Sequence, residues 1–270
     1  MLTKEGFLSL VKGCIIGITS LIEGISYGSM ITTLGLQNDV VEAVNKIPKK
    51  ENKKLSQIVI PVLIGILLIT IASINLIPII MEKYKNQAIF LGLGLMLGGY
   101  KLLSEKTKEK ITIKKGIVML IIIALITLSQ TLLLNNTIKI GTNIILYLFL
   151  GLLTGITILV PGIKEHFWIA LFDKKEYIEA WTINDYFEIT LFIIGALIGV
   201  IAISKIVYYF MKNYKNKTNL VIKALLLSAI IISIFELEKF TLNFVNIFTT
   251  ILAFLWGYIL VKNLEKEWFQ

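Results

Sequence analysis

The side chains best suited to chemistry in this chain stand at two places where apolar runs break. The first break reads Glu23-Gly24-Ile25-Ser26-Tyr27-Gly28-Ser29. The second reads Pro161-Gly162-Ile163-Lys164-Glu165-His166-Phe167 and holds the only histidine. A charged group at the centre of a spanning helix costs about 2.5–3.5 kcal/mol on insertion scales, so these groups need a partner or a task. Breaking a helix also frees backbone N–H groups where the next arm begins, near Ser26 and Lys164, and such ends attract anions. Gly24, Ser26, Gly28, Ser29, Gly162, Lys164 and a protonated His166 are therefore the candidate donors to a phosphate-sized anion. Glu23 and Glu165 are the candidates for balancing the lysine or carrying a proton, with sodium left open as the coupling ion. A plainer alternative has Glu23 and Lys164 pairing to lock the two breaks together, with His166 a satisfied neighbour. One histidine without a second His, a Cys pair or a close carboxylate cluster does not complete a metal sphere. No nucleotide-binding loop is visible, so no cofactor is expected.

The elements that must position these groups are membrane helices. The chain has 270 residues, of which 56% are hydrophobic, and a mean hydropathy of +0.81. A soluble domain of that length cannot hide so much apolar surface, which makes the expected class an all-α polytopic membrane protein. The start, "MLTKEGFLSLVKGCIIG", is interrupted by Lys12 and lacks a small-residue cleavage site, so it reads as mature structure. Cys14 is the sole cysteine, which excludes an intramolecular disulfide. The formal charge of +9 rests on 27 lysines and no arginine; in a membrane protein this concerns topology and anionic lipid, not nucleic acid.

Runs near the roughly 20 residues needed to cross hydrocarbon cover 56–81, 87–103, 115–134, 186–211, 218–235 and 243–262. The second is short and glycine-rich, which predicts close packing. Two further runs, 7–36 and 142–172, contain the breaks. Their arms after the break have about 10–12 residues, or about 15–18 Å of helix, too short to cross. Each is therefore expected to be a re-entrant hairpin. The two also resemble each other: "GCIIGITSLIEGI" (Gly13–Ile25) matches "GLLTGITILVPGI" (Gly151–Ile163) without gaps. The expected plan is two repeats, 1–136 and 137–270, each a hairpin, a short amphipathic segment and three spans. Three crossings is odd, so the second copy is inverted, a recurring plan of secondary transporters.

Lysines test the topology. Loops on the side of the termini would carry 18 and the opposite side 6, leaving Lys164, Lys205 and Lys223. That bias puts both termini in the cytoplasm, and Lys205 and Lys223 are expected to snorkel to that face. The pairs Gly13/Gly17, Gly151/Gly155 and Gly195/Gly199 read as helix-packing contacts. Gln130 reads as an interhelical hydrogen bond, and the segment around Glu179 and Trp181 as interfacial.

At both breaks the chain resembles a bacterial membrane family first catalogued as a domain of unknown function and associated with returning undecaprenyl phosphate across the membrane. That family carries "PGVSGGT"-like and "PGISGSF"-like motifs. The first break here keeps Gly24, Ser26, Gly28 and a hydroxyl at Ser29, with Gln37 where a later tyrosine is expected. The second keeps Pro161, Gly162, Ile163 and Phe167, while Lys164, Glu165 and His166 replace a small Ser-Gly-Ser run. The resemblance implies a divergent polyprenyl phosphate transporter of the bacterial cytoplasmic membrane, a flippase holding an anionic lipid head at the hairpin tips, with membrane lipids as its other partners. A transporter of a small soluble solute and a non-transporting relative are the alternatives. An enzyme is not expected: the familiar lipid-phosphate phosphatase design uses arginines and two histidines.

Overall fold

The computed structural model describes residues 3–47, 53–73, 75–107, 112–134, 144–165, 167–172, 186–237 and 243–266. Every regular element among them is helical. Thr3 opens α1 (Lys4–Ser20): its hydroxyl accepts from the Gly6 amide at 3.1 Å, covering one of the N–H groups that a helix start leaves unpaired. Two short helices follow, α2 (Tyr27–Thr33) and α3 (Gln37–Asn45). A π-helical turn at Leu55–Val59 leads into α4 (Ile60–Ser73), then come α5 (Leu76–Thr107), kinked at Tyr84, and α6 (Ile113–Leu134). The second half contains α7 (Ile144–Ile158), α8 (Phe167–Leu171), α9 (Tyr186–Asn213), α10 (Lys215–Phe235) and α11 (Phe244–Lys266).

Among the described residues, six helices are long and apolar enough to cross a membrane: Leu55–Ser73, Leu76–Thr107, Ile113–Leu132, Tyr186–Asn213, Lys215–Phe235 and Phe244–Leu264. Leu67, Leu120, Leu197 and Trp256 stand exposed on α4, α6, α9 and α11, an outer surface suited to hydrocarbon and not to water. The protein is an all-α multi-pass membrane protein. One boundary differs from the sequence reading. The run taken as a single span over 56–81 ends as a helix at Ser73, and Leu76 already belongs to the next helix. Ser73 and Asn75 interrupt the apolar run too briefly to mark the join. Pro78 falls in the first turn of α5, where its missing N–H removes no hydrogen bond.

The main helix pairs are α1 with α4, α7 with α9, α5 with α11, and α6 with α10. Small residues set their closeness. A Cβ on Gly13 would run into the Val62 carbonyl, one on Gly151 into that of Phe192, and one on Gly195 into that of Leu148. The glycine pairs are therefore packing contacts, as their spacing implied.

After α1 the chain reverses. Lys12, within α1, donates to the Leu34 carbonyl at 3.0 Å, so by the end of α2 the chain is again level with the middle of α1. The second break behaves similarly: the Thr154 hydroxyl in α7 donates to the Glu165 carbonyl at 3.3 Å. Two lysines depart from expectation. Lys12, counted among the loop lysines, is 4% exposed, and Lys223, expected to snorkel, is 2% exposed and donates to the Thr107 hydroxyl. A hydrogen-bonding partner inside the bundle outcompetes the water that each was expected to reach. The segment around Glu179 and Trp181, the start of the run at 142–143, and His166 lie outside the described residues.

Candidate functional site where the two chain reversals meet

Each reversal turns on a glycine in the left-handed region, Gly24 at φ +89° and Gly162 at φ +87°. A side chain at either would be strained. Space is also closed at both. A Cβ on Gly24 would lie 2.9 Å from Ser233 Cα, and one on Gly162 would lie 2.6 Å from the Leu225 carbonyl oxygen. Both reversals therefore press against α10, at different heights along it.

Ser26 caps α2 in the manner of a helix start: its hydroxyl accepts from the Ser29 amide at 3.2 Å and shares a hydrogen bond with the Ser29 hydroxyl at 2.8 Å. The Ser29 hydroxyl in turn accepts from the Gly162 amide at 3.1 Å. Gly28 allows the approach, since a Cβ there would be 2.6 Å from the Val160 carbonyl oxygen. The Tyr27 amide donates to the Glu165 carboxylate at 2.6 Å, and the Gly28 amide faces the same carboxylate. A charged acceptor makes these bonds stronger than their neutral equivalents.

Ser26, Gly28, Ser29, Gly162 and Glu165 are thus in one place, and Gly24 adjoins them, its carbonyl accepting from the Ser233 hydroxyl at 2.7 Å. Glu23 and Lys164 are not paired with each other. Glu23 meets Lys85 of α5 at 2.6 Å, and Lys164 meets Glu236 at the end of α10. The breaks are locked by backbone donors on a carboxylate and a hydroxyl, not by the Glu23–Lys164 pair that like-with-opposite matching suggested. Which charges meet depends on which helix end lies beside each tip.

Three site residues escaped the sequence reading. Gln37 is buried, accepts from the Thr32 hydroxyl at 3.1 Å, and donates to the Leu159 carbonyl at 3.3 Å, tying one reversal to the other. Gln130 of α6 donates to the Gly162 carbonyl, so the expected interhelical bond ends on the tip itself. Glu236 is the partner of Lys164. For Gln130 the available signal was an amide inside an apolar run, and for Gln37 its place where the resembling family has a tyrosine; for Glu236, 72 residues from Lys164, there was none. A groove of about 750 Å³ starts at Gln37, Leu159 and Pro161 and runs between α9 and α10 past Phe210 to Tyr214 and Lys217.

The family model described as VCA0040-like, undecaprenyl phosphate translocase-like, matches residues 6–246. A protein of Staphylococcus aureus (strain NCTC 8325 / PS 47) named polyprenyl-phosphate transporter is 24% identical over 276 aligned positions, covering 96% of each chain. No solved structure matches.

Proposed function

The chain belongs to the undecaprenyl phosphate translocase-like family, and on that footing we propose that it moves a polyprenyl phosphate, such as undecaprenyl phosphate, between the leaflets of a bacterial cytoplasmic membrane. The observation that carries this reading is the Glu165 carboxylate on the Tyr27 amide. A carboxylate of the chain stands where an anionic headgroup would accept, so the site is built for an anion and is closed by one of its own. The headgroup displaces Glu165 and takes up the Ser26 and Ser29 hydroxyls and the Gly162 amide. Gly24 and Gly28 admit it to the backbone, and Lys164 and His166 supply positive charge.

Protonation of Glu165 weakens its hold on the amides and couples entry of the headgroup to a proton. Glu23 stays paired with Lys85 and steadies the first reversal. The groove from Pro161 to Lys217 suits an isoprenoid tail that remains in lipid while the head is bound.

The two halves, 1–136 and 137–270, are read as inverted repeats whose breaks are re-entrant. Equivalent glycines support this: Gly24 and Gly162 share one backbone conformation, and Gly65 and Gly195 sit on the carbonyls of Leu10 and Leu148. The lysine bias supports cytoplasmic termini. The cycle moves a proton and leaves every bond of the lipid intact, so the reading is that of a transporter and not of an enzyme.

Reconstitution into liposomes tests the reading. Labelled polyprenyl phosphate placed in the outer leaflet should become protected from an external phosphatase faster than in protein-free vesicles. No acceleration at any pH or salt gradient would remove the lipid reading, and uptake of free inorganic phosphate in its place would assign a soluble substrate.

A further inference from the structure

The two reversals sit partway along α10, and the flanks of that position differ. Toward the start of α10 the groove opens past Leu225 and Ile222 to Thr218 and Lys217. Toward its end Gly24 packs on Ser233, and Glu236, the C-terminal cap, holds Lys164. Lys217 and Glu236 are about 28 Å apart along the helix, and Gly162 lies against Leu225 between them. The site therefore has a groove on one side and an ion pair on the other.

Glu236 is a poor choice for its place if only the helix is considered. Its carboxylate stands at the C-terminal end of α10, a helix of 21 residues, where unpaired carbonyls make an anion unfavourable. The Lys164 ammonium offsets this, and it lies within electrostatic reach of the Glu165 carboxylate as well. One lysine thus stands between two carboxylates: Glu236, which holds it, and Glu165, which occupies the Tyr27 amide. A phosphate headgroup would use both kinds of donor, backbone amide and ammonium. Here both are engaged by carboxylates of the chain itself.

Resting on the headgroup reading of the tips, we propose that Glu236 is an internal competitor for Lys164. An arriving headgroup draws the ammonium off Glu236 and so parts the ion pair on the side away from the groove. Glu236 takes the ammonium back when the headgroup leaves. Glu236 is then a positioning residue: it acts on the lipid through Lys164 and does not touch it. The return force is the cost of leaving a carboxylate uncompensated and partly buried at the negative end of α10. That cost holds headgroup affinity low enough for release.

Calorimetric titration of the detergent-solubilised full chain with a short-chain prenyl monophosphate tests this. Glu236→Gln should bind about tenfold more tightly than wild type, because one charge-assisted hydrogen bond no longer has to be surrendered. Glu236→Asp keeps the charge on a shorter arm, and its affinity should fall between the two. Lys164→Gln removes the contested group, so adding Glu236→Gln to it should leave affinity unchanged. A merely structural role would lower the melting temperature of the Glu236 variants without tightening binding. Unchanged or weaker affinity in whichever of Glu236→Gln and Glu236→Asp folds would overturn the proposal. So would tightening that persists in the Lys164→Gln background, which would mean simple repulsion between Glu236 and the lipid anion. A wild-type chain that binds no prenyl phosphate removes the headgroup reading and this inference together. Wild-type binding with unchanged variants removes this inference alone.

Discussion

The Tyr27 amide donates to the Glu165 carboxylate at 2.6 Å across a sequence separation of 138 residues. The same separation relates Gly24 to Gly162, the two glycines on which the chain reverses. That contact brings the two glycine-marked reversals face to face. Tyr27 and Glu165 therefore stand where the two reversals meet, and the carboxylate there helps to hold them together.

Glu165→Ala should destabilise the protein by about 1–3 kcal/mol, because it leaves buried amides without an acceptor. Glu165→Gln keeps an acceptor and should cost less. Thermal unfolding in detergent should rank wild type, Gln, Ala in falling order; Ala as stable as wild type would mean that the carboxylate holds nothing. If Glu165 is the group that the headgroup displaces, Gln should also flatten the pH dependence of lipid translocation.

Gly162→Ala and Gly24→Ala each force a side chain into the left-handed region, at about 1–2 kcal/mol for the backbone alone. Both also overlap α10, but Gly162→Ala approaches the Leu225 carbonyl and the Ser228 hydroxyl more closely than Gly24→Ala approaches Ser233, so it should be the more severe of the two. Comparing melting temperatures and membrane yield checks the order. Equal, negligible effects would show that neither turn is constrained.

Lys164 pairs with Glu236 in a partly buried position. Lys164→Ala and Glu236→Ala should each lower stability, and the double variant should cost less than their sum by about 1–3 kcal/mol. Lys164→Ala should also slow translocation more than Glu236→Ala does, if Lys164 reaches the headgroup. Additive unfolding energies in this cycle would dismiss the pair.

On α3, hydrogen bonds from Lys46 and then Lys54 hold the Glu42 carboxyl below its usual value of 4.5. A lowered folded-state value means that the stabilisation is complete above the ordinary carboxylate range. It is lost as pH falls through the folded value. Glu42→Gln should therefore unfold more easily than wild type at about pH 7, by a margin that shrinks as the pH falls below the ordinary carboxylate range. A gap that persists in acid would mean packing, not charge, is at work.

The sequence by itself determined the solvent, the number of spans and the place of the breaks. Apolar run length is a local property and so is a glycine-marked turn, and both are read one segment at a time. Gly13, Gly17, Gly151 and Gly155 announced close helix packing for the same reason: only a bare Cα admits a neighbouring backbone. What tertiary structure decided was partnership. Glu23 goes to Lys85, Lys164 to Glu236 and Lys12 into the bundle, because an ion or hydrogen bond forms with whichever group lies within about 3 Å, and that depends on how deep each reversal reaches along α10. The join at Ser73 and Leu76 was hidden because only Ser73 and Asn75 interrupt an otherwise apolar run there. Gln130 was visible as a polar residue in a greasy run and Gln37 as the residue just past one, but that they end on Leu159 and Gly162 is a fact of packing, which no spacing along the chain encodes.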